Sequence, residues 1–143
     1  MPLDRRRVIE CADCLCLASR KGARTITRAY DRQLRAYGLR ATQFTVLAML
    51  ELKGPQPLGE LARALGTERT TLTRNLAVME LQSLVTTHPG NDARQRIVEI
   101  APEGRKTLEK ALPAWRRAQE ELTASIGAPL ADSLRRLARA PGF

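Results

Sequence analysis

A chain of 143 residues with 43% hydrophobic content is long enough to bury one compact core and need not be a disordered basic tail. Twenty-four Lys and Arg against fifteen Asp and Glu leave a formal charge of +9, which points to polyanionic partners with nucleic acid first, although twenty of the 24 cations are Arg, a skew that genome base composition produces unaided. Aromatic residues make up only 3% and are scattered as Tyr30, Tyr37, Phe44, Trp115 and Phe143, which argues against a single-strand binder that stacks bases on rows of rings.

After Pro2-Leu3-Asp4 comes the basic run Arg5-Arg6-Arg7, and the apolar pair Val8-Ile9 is cut off at once by Glu10, so no signal-peptide core follows. Nothing approaches the roughly eighteen apolar residues of a membrane span. A soluble, cytoplasmic protein with no membrane partner is expected. Cys11, Cys14 and Cys16 lie within six residues, and their odd count argues against a secreted disulfide framework. Reduced thiols are expected at rest.

From Val8 to Tyr37, the positions Val8, Ala12, Leu15, Ala23, Ile26, Tyr30, Leu34 and Tyr37 recur mostly at steps of three and four, predicting one long amphipathic helix ended by Gly38. Thr42 is placed to cap a second helix that runs through Leu52 and buries Phe44, Leu47 and Leu50. A third, short helix fits Leu58 to Leu65, with Leu58, Leu61, Ala62 and Leu65 on one face. Gly66 breaks the run and Thr67 is expected to open a fourth helix, with Glu68 in its first turn. Two helices joined by a tight glycine turn form a helix-turn-helix pattern.

Two strand-like runs follow, Leu84 to His88 and Arg96 to Ala101, flanking a turn-rich segment from Pro89 to Gln95 that reads as a hairpin loop. Pro102 suits the first position of a fifth helix running toward Ser125. Pro113 inside it predicts a kink or break near Leu112, since an interior proline costs about 3 kcal/mol. Gly127-Ala128-Pro129 restarts the chain into a last helix carrying Leu130, Leu134 and Leu137. Residues 1–37, 38–101 and 102–143 carry net charges of +5, +1 and +3. The central segment is nearly neutral, so a specific nucleic-acid contact there must depend on where a few cations point.

On the helix predicted from Thr67 to Ser83, Leu72, Leu76 and Met79 fall within about 60° of arc and anchor it to the core. The opposite side holds Thr67, Thr70, Arg74 and Ala77, with Thr71 and Thr73 at its flanks. Such a surface suits a major groove: Thr bonds a phosphate or base edge and offers a methyl to thymine, and Arg forms two parallel bonds to guanine. The same residues also fit a plain solvated helix face. The hairpin adds to the first reading, because a basic tip residue, here Arg94, is placed to enter a neighbouring narrow minor groove. Asp92 is expected to hold the tip, by an Asx-type bond or by pairing with an arginine.

This order of elements resembles the MarR family of winged helix-turn-helix transcriptional regulators. The resemblance covers roughly Leu15 to Leu122. It is carried by Gly38-Leu39-Arg40-Ala41-Thr42-Gln43-Phe44, Leu58-Gly59-Glu60-Leu61-Ala62, Thr70-Thr71-Leu72-Thr73-Arg74-Asn75-Leu76, and Asn91-Asp92-Ala93-Arg94 followed by Pro102-Glu103-Gly104. It implies a mainly α fold with a small β-hairpin wing: an N-terminal helix (1–37) and C-terminal helices (102–143) that form a two-fold homodimer around a winged DNA-binding domain (38–101). It further implies a pseudo-palindromic double-stranded operator with half-sites about one helical turn apart. Repression relieved by a small phenolic or aromatic ligand, or by cysteine oxidation, is the behaviour the family would lend it.

The cysteine cluster, with Cys11 and Cys14 three apart on one predicted helical face, has three readings. One is packing, since cysteine is small and often buried. Another is redox sensing: Cys16 and Tyr30, fourteen residues apart, are similar in spacing to the reactive cysteine and tyrosine of the family's organic-hydroperoxide sensors, although Ala41 stands where those sensors carry a second tyrosine. Arg20 and Arg24 lie near, but a mid-helix thiol lacks the help of a helix N-terminus. Metal binding is the third, and three sulfurs on a continuous helix converge poorly on one tetrahedral ion. His88 is expected to cap a strand or face solvent. No cofactor or metal is expected. A ligand pocket between the dimer helices and the winged domain would draw on Cys16, Tyr30, Phe44 or Met49.

An enzyme is disfavoured, because one histidine, no glycine-rich phosphate loop and no clustered carboxylates leave no catalytic constellation. The remaining alternative to a sequence-specific regulator is an architectural DNA binder that uses its basic flanks on any sequence.

Overall fold

The computed structural model describes Met1 and residues 3–140; Pro2 and Phe143, both named above, lie outside the described residues. Helix α1 (Arg5–Val8) is one turn, capped by Asp4, whose Oδ1 accepts the Arg6 N–H at 3.0 Å. A 3-10 segment over Ile9–Asp13 follows, Cys14 takes an extended conformation, and α2 (Leu15–Leu34) begins after it. The single helix expected from Val8 to Tyr37 is therefore broken at Cys14. Residues 3–21 are all exposed, so no buried face holds this stretch in one continuous helix. At the far end Arg35–Tyr37 tighten into a 3-10 turn, Gly38 takes a φ of 69°, and the Leu39 N–H bonds back to the Leu34 carbonyl.

Helix α3 (Ala41–Lys53) is capped by Arg40 rather than Thr42. Its free N–H groups are satisfied from nearby side chains: Gln43 Oε1 accepts from Arg40 N–H at 3.0 Å and Asp31 Oδ1 accepts from Ala41 N–H at 2.7 Å. With those partners in place the helix starts two residues earlier than a Thr42 cap allows. A two-residue strand, β1 (Gln56–Pro57), then leads into α4 (Leu58–Leu65), which has the bounds its apolar face predicts.

Helix α5 spans Arg69–Leu81 with Glu68 as its cap, so Thr67 does not open it. The cause lies in the preceding turn. Gly66 is left-handed, and the Thr67 N–H reaches back five residues to the Ala62 carbonyl at 3.0 Å, the closing bond of a Schellman motif that belongs to α4. Strands β2 (Val85–Pro89) and β3 (Arg96–Ile100) form the wing, with Val85 opposite Ile100 and Pro89 opposite Arg96. The sheet order is β1-β3-β2, all antiparallel, and Pro57 is tolerated because β1 is an edge.

Helix α6 (Pro102–Ile126) continues through Pro113, so of the kink or break expected near Leu112 the break is absent. Ala111, Ala114 and Ala118 are buried on one side of it, while Pro113 sits on the exposed side, where the carbonyl that loses its partner is open to solvent. Helix α7 (Ala128–Arg139) buries Ala131, but Leu130, Leu134 and Leu137 remain 50%, 39% and 56% exposed within one copy of the chain. The core collects Leu34, Val46, Leu47, Leu50, Leu61, Leu72, Met79, Val85 and Val98, which fastens α5 and the base of the wing to α2 and α3.

Candidate nucleic-acid interface

Helix α5 is held from behind by Leu72, Leu76 and Met79, each buried to within 3%. This anchoring leaves Thr70 and Arg74 exposed on the opposite side. Thr71 is also exposed but faces a different neighbour: with half-buried Thr67 and Asn75 it lines a cleft of about 340 Å³ against Thr42 and Thr45 of α3 and its cap Arg40. The five predicted contact residues thus fall into three places: Thr70 and Arg74 on the outer ridge, Thr67 and Thr71 in the α3 cleft, and Arg94 on the wing.

Tip geometry comes from Asp92. Its Oδ1 accepts the Arg94 N–H at 3.1 Å, an Asx-type bond, while its carbonyl accepts the Gln95 N–H at 2.9 Å and Gln95 O accepts the Gly90 N–H at 2.8 Å. The loop is thereby closed on itself, and Arg94 projects from it exposed. His88, opposite Ile97 in the ladder, is exposed on the solvent side of the hairpin.

All seven cations between residues 38 and 101, namely Arg40, Lys53, Arg63, Arg69, Arg74, Arg94 and Arg96, are exposed. Sequence reasoning singled out two of them. A helix opening at Thr67 hides the place of Arg69; as the first residue of α5 it lies over Gly59 at the start of α4, its Cζ 3.9 Å from where a Cβ on Gly59 would sit. A glycine two residues into one helix and an arginine opening the next were the available signal.

Two expectations about the N-terminal region are corrected. Cys11, Cys14 and Cys16 are all exposed in one copy of the chain, so none packs into its core. Nor do they lie inside one helix: Cys11 is in the 3-10 segment, Cys14 is the cap of α2 and Cys16 lies in its first turn. Cys16 therefore sits in the first turn of α2 and not in mid-helix. Cys16 and Tyr30 are fourteen residues apart on α2, about 21 Å along its axis, so they cannot touch within one copy.

Within one copy of the chain, Cys16, Phe44 and Met49 do not border the cavity beside Tyr30. Phe44 is buried against Trp115, and the Tyr30 hydroxyl donates to Gln119 of α6. Tyr30 borders a cavity of about 220 Å³ with Ile26, Leu122, Ala131, Leu134 and Arg135. Its burial raises the phenol pKa, and the Arg135 charge opposes that rise. Among the described residues no cluster of side chains suits a metal ion and no helix is long and apolar enough to cross a membrane.

Comparison with known proteins agrees with this geometry. Residues 37–95 match the MarR family. YwoH of Bacillus subtilis (strain 168), described as an uncharacterized HTH-type transcriptional regulator, is 31% identical over 106 residues, which is 74% of this chain and 77% of its own. The M. tuberculosis transcriptional regulator MosR in complex with DNA is similar at 44% identity with a TM-score of 0.79, over 88% of this chain and 94% of its own. Reduced AbfR bound to DNA gives a TM-score of 0.69 at 25% identity, over 93% and 97% of the two chains. With a helix-turn-helix, a hairpin wing in a three-stranded sheet and relatives of this kind, the chain belongs to the MarR family of DNA-binding transcriptional regulators.

Proposed function

We propose that the protein is a homodimeric repressor of a pseudo-palindromic operator, each copy setting α5 in a major groove and its wing in the flanking minor groove. The observation that carries this reading is the outer ridge of α5: Thr70 and Arg74 stand exposed, backed by Leu72, Leu76 and Met79, on the helix next to a closed hairpin that projects Arg94. Residues 38–101 serve as the DNA-reading unit. Residues 1–37 and 102–143 serve dimerisation, and the exposed Leu130, Leu134 and Leu137 supply an apolar face for it. MosR and AbfR, the similar proteins, are both known bound to DNA.

Release follows oxidation of the N-terminal thiols. Cys14 and Cys16 are exposed around the start of α2. The cavity beside Tyr30, at about 220 Å³, is smaller than the ~300 Å³ of most small-molecule sites, which favours oxidation over a phenolic ligand there.

Fluorescence anisotropy with the protein's own promoter and a scrambled duplex at physiological salt tests the reading. A clear preference for the promoter, lost after treatment with an organic hydroperoxide, is expected. Equal affinity for the two duplexes would refute the regulator. Unchanged affinity with the thiols modified by mass spectrometry would refute the redox release alone.

A further inference from the structure

The outer half of the wing is held to α5 by polar contacts where its apolar packing ends. On one face of the β2–β3 hairpin, Val85, Val98 and Ile100 are buried in the core. Thr87, opposite Val98, and the pair Pro89 and Arg96 continue that face toward the tip. Beneath them a cavity of about 350 Å³, bordered also by Leu58, Leu76 and Ala77, separates the hairpin from α5. Across this gap Thr87 Oγ1 donates to Glu80 Oε1 at 2.6 Å and accepts from Arg96 Nη2 at 2.8 Å. One hydroxyl thus ties both wing strands to the last turn of α5. Its proton goes to a carboxylate and its lone pair to a guanidinium, so each bond polarises the other.

We infer that Glu80, Thr87 and Arg96 are positioning residues that clamp the angle between α5 and the wing, and so set which separation of major-groove and minor-groove contacts the protein accepts. The inference rests on the DNA-reading function proposed above. Arg94 lies beyond the clamp on the closed loop, so a rotation of the hairpin about its core-anchored base displaces Arg94 more than it displaces Thr87.

Thr87→Val removes the hydroxyl and keeps the branched strand-forming shape; Thr87→Ser restores the hydroxyl. Anisotropy should show promoter binding weakened about three- to tenfold in Thr87→Val, with scrambled-duplex affinity unchanged, melting within about 5 °C of the parent, and recovery in Thr87→Ser. In an Arg94→Ala background Thr87→Val should cost nothing further, since the wing no longer reads the groove. Fully additive losses, or parental promoter affinity in Thr87→Val, would overturn the clamp. So would an Arg96→Ala loss equal on both duplexes, which would make Arg96 a phosphate contact.

Amide hydrogen exchange of the DNA-free protein separates this inference from the function beneath it. Faster exchange across Thr87–Arg96 than in α5 is expected in Thr87→Val. That result without promoter preference in the parent would leave the clamp standing and remove the DNA reading; unchanged exchange would remove the clamp.

Discussion

Phe44 and Trp115 stack with ring centroids 5.8 Å apart and planes within 9° of each other. Phe44 lies on α3, which packs beside the helix-turn-helix, and Trp115 on α6, which packs along α2. The pair therefore joins the helix-turn-helix part of the chain to its long helices. Phe44→Ala is expected to lower unfolding free energy by about 3–5 kcal/mol, combining lost burial with the cavity left behind. Trp115 is the only tryptophan, so its fluorescence reports the joint directly during urea denaturation. A loss under about 1 kcal/mol would show that the stack does not hold the two parts together.

Much of this arrangement is legible in the sequence because it follows from apolar spacing. Leu58, Leu61, Ala62 and Leu65 define α4 to the residue, and Leu72, Leu76 and Met79 turn Arg74 outward. Features that depend on tertiary partners are not legible in this way. The break at Cys14 falls in a segment that buries nothing within its own copy of the chain, and β1 exists only through its ladder with β3. Pro113 is accepted because the alanines beside it are packed, which overrides a local penalty. Thr67 does not open α5 because its N–H closes a Schellman bond to the Ala62 carbonyl. The contact among Glu80, Thr87 and Arg96 needs the strand register before it can be seen; the only sequence trace is Thr87 and Arg96 on either side of the turn-rich loop.

Arg74 and the Arg5–Arg7 run are expected to do different work on DNA. Arg74→Ala should remove about 1–3 kcal/mol of discrimination between the promoter and a scrambled duplex, while binding to the scrambled duplex changes less. Deleting Arg5–Arg7 should leave discrimination intact and flatten the dependence of affinity on salt. Anisotropy titrations across a range of salt concentrations measure both. A larger loss of preference from the deletion than from Arg74→Ala would favour an architectural binder.

Tyr30 gives the fold a dependence on alkaline pH. Burial raises its pKa in the folded state above the ordinary value near 10, so the folded protein holds the phenol proton more tightly than the unfolded chain. The contribution is fully present below pH ~10 and is lost as pH rises through the folded-state pKa, because the unfolded state ionises first. Tyr30→Phe should abolish that part of the decline. Arg135→Gln should move the tyrosinate absorbance transition of Tyr30 to higher pH, since the Arg135 charge lowers this pKa. A transition that moves the other way would show that Arg135 does not act on the phenol.

Gly104 carries the closest backbone approach in the molecule among the described glycines. A Cβ there would lie 2.0 Å from the Leu84 carbonyl oxygen and 2.9 Å from its carbon. That oxygen also accepts the Ala101 N–H at 3.0 Å, so it is pinned where the wing leaves the core and α6 begins. No rotamer change relieves a clash with backbone, and shifting Leu84 would disturb the entry to β2. Gly104→Ala gains up to about 1 kcal/mol of helix propensity but must displace this strand, at a cost of about 1–3 kcal/mol or more. A net loss of at least about 1 kcal/mol is expected from thermal melts. Gly59→Ala is the control: its Cβ would meet only the far end of the Arg69 side chain at 3.9 Å, an ordinary contact, and stability should stay within about 0.5 kcal/mol of the parent. Equal stability of the two variants would mean that α6 and the start of the wing are not held in this close approach, and with it would go the rigid base from which the hairpin projects Arg94.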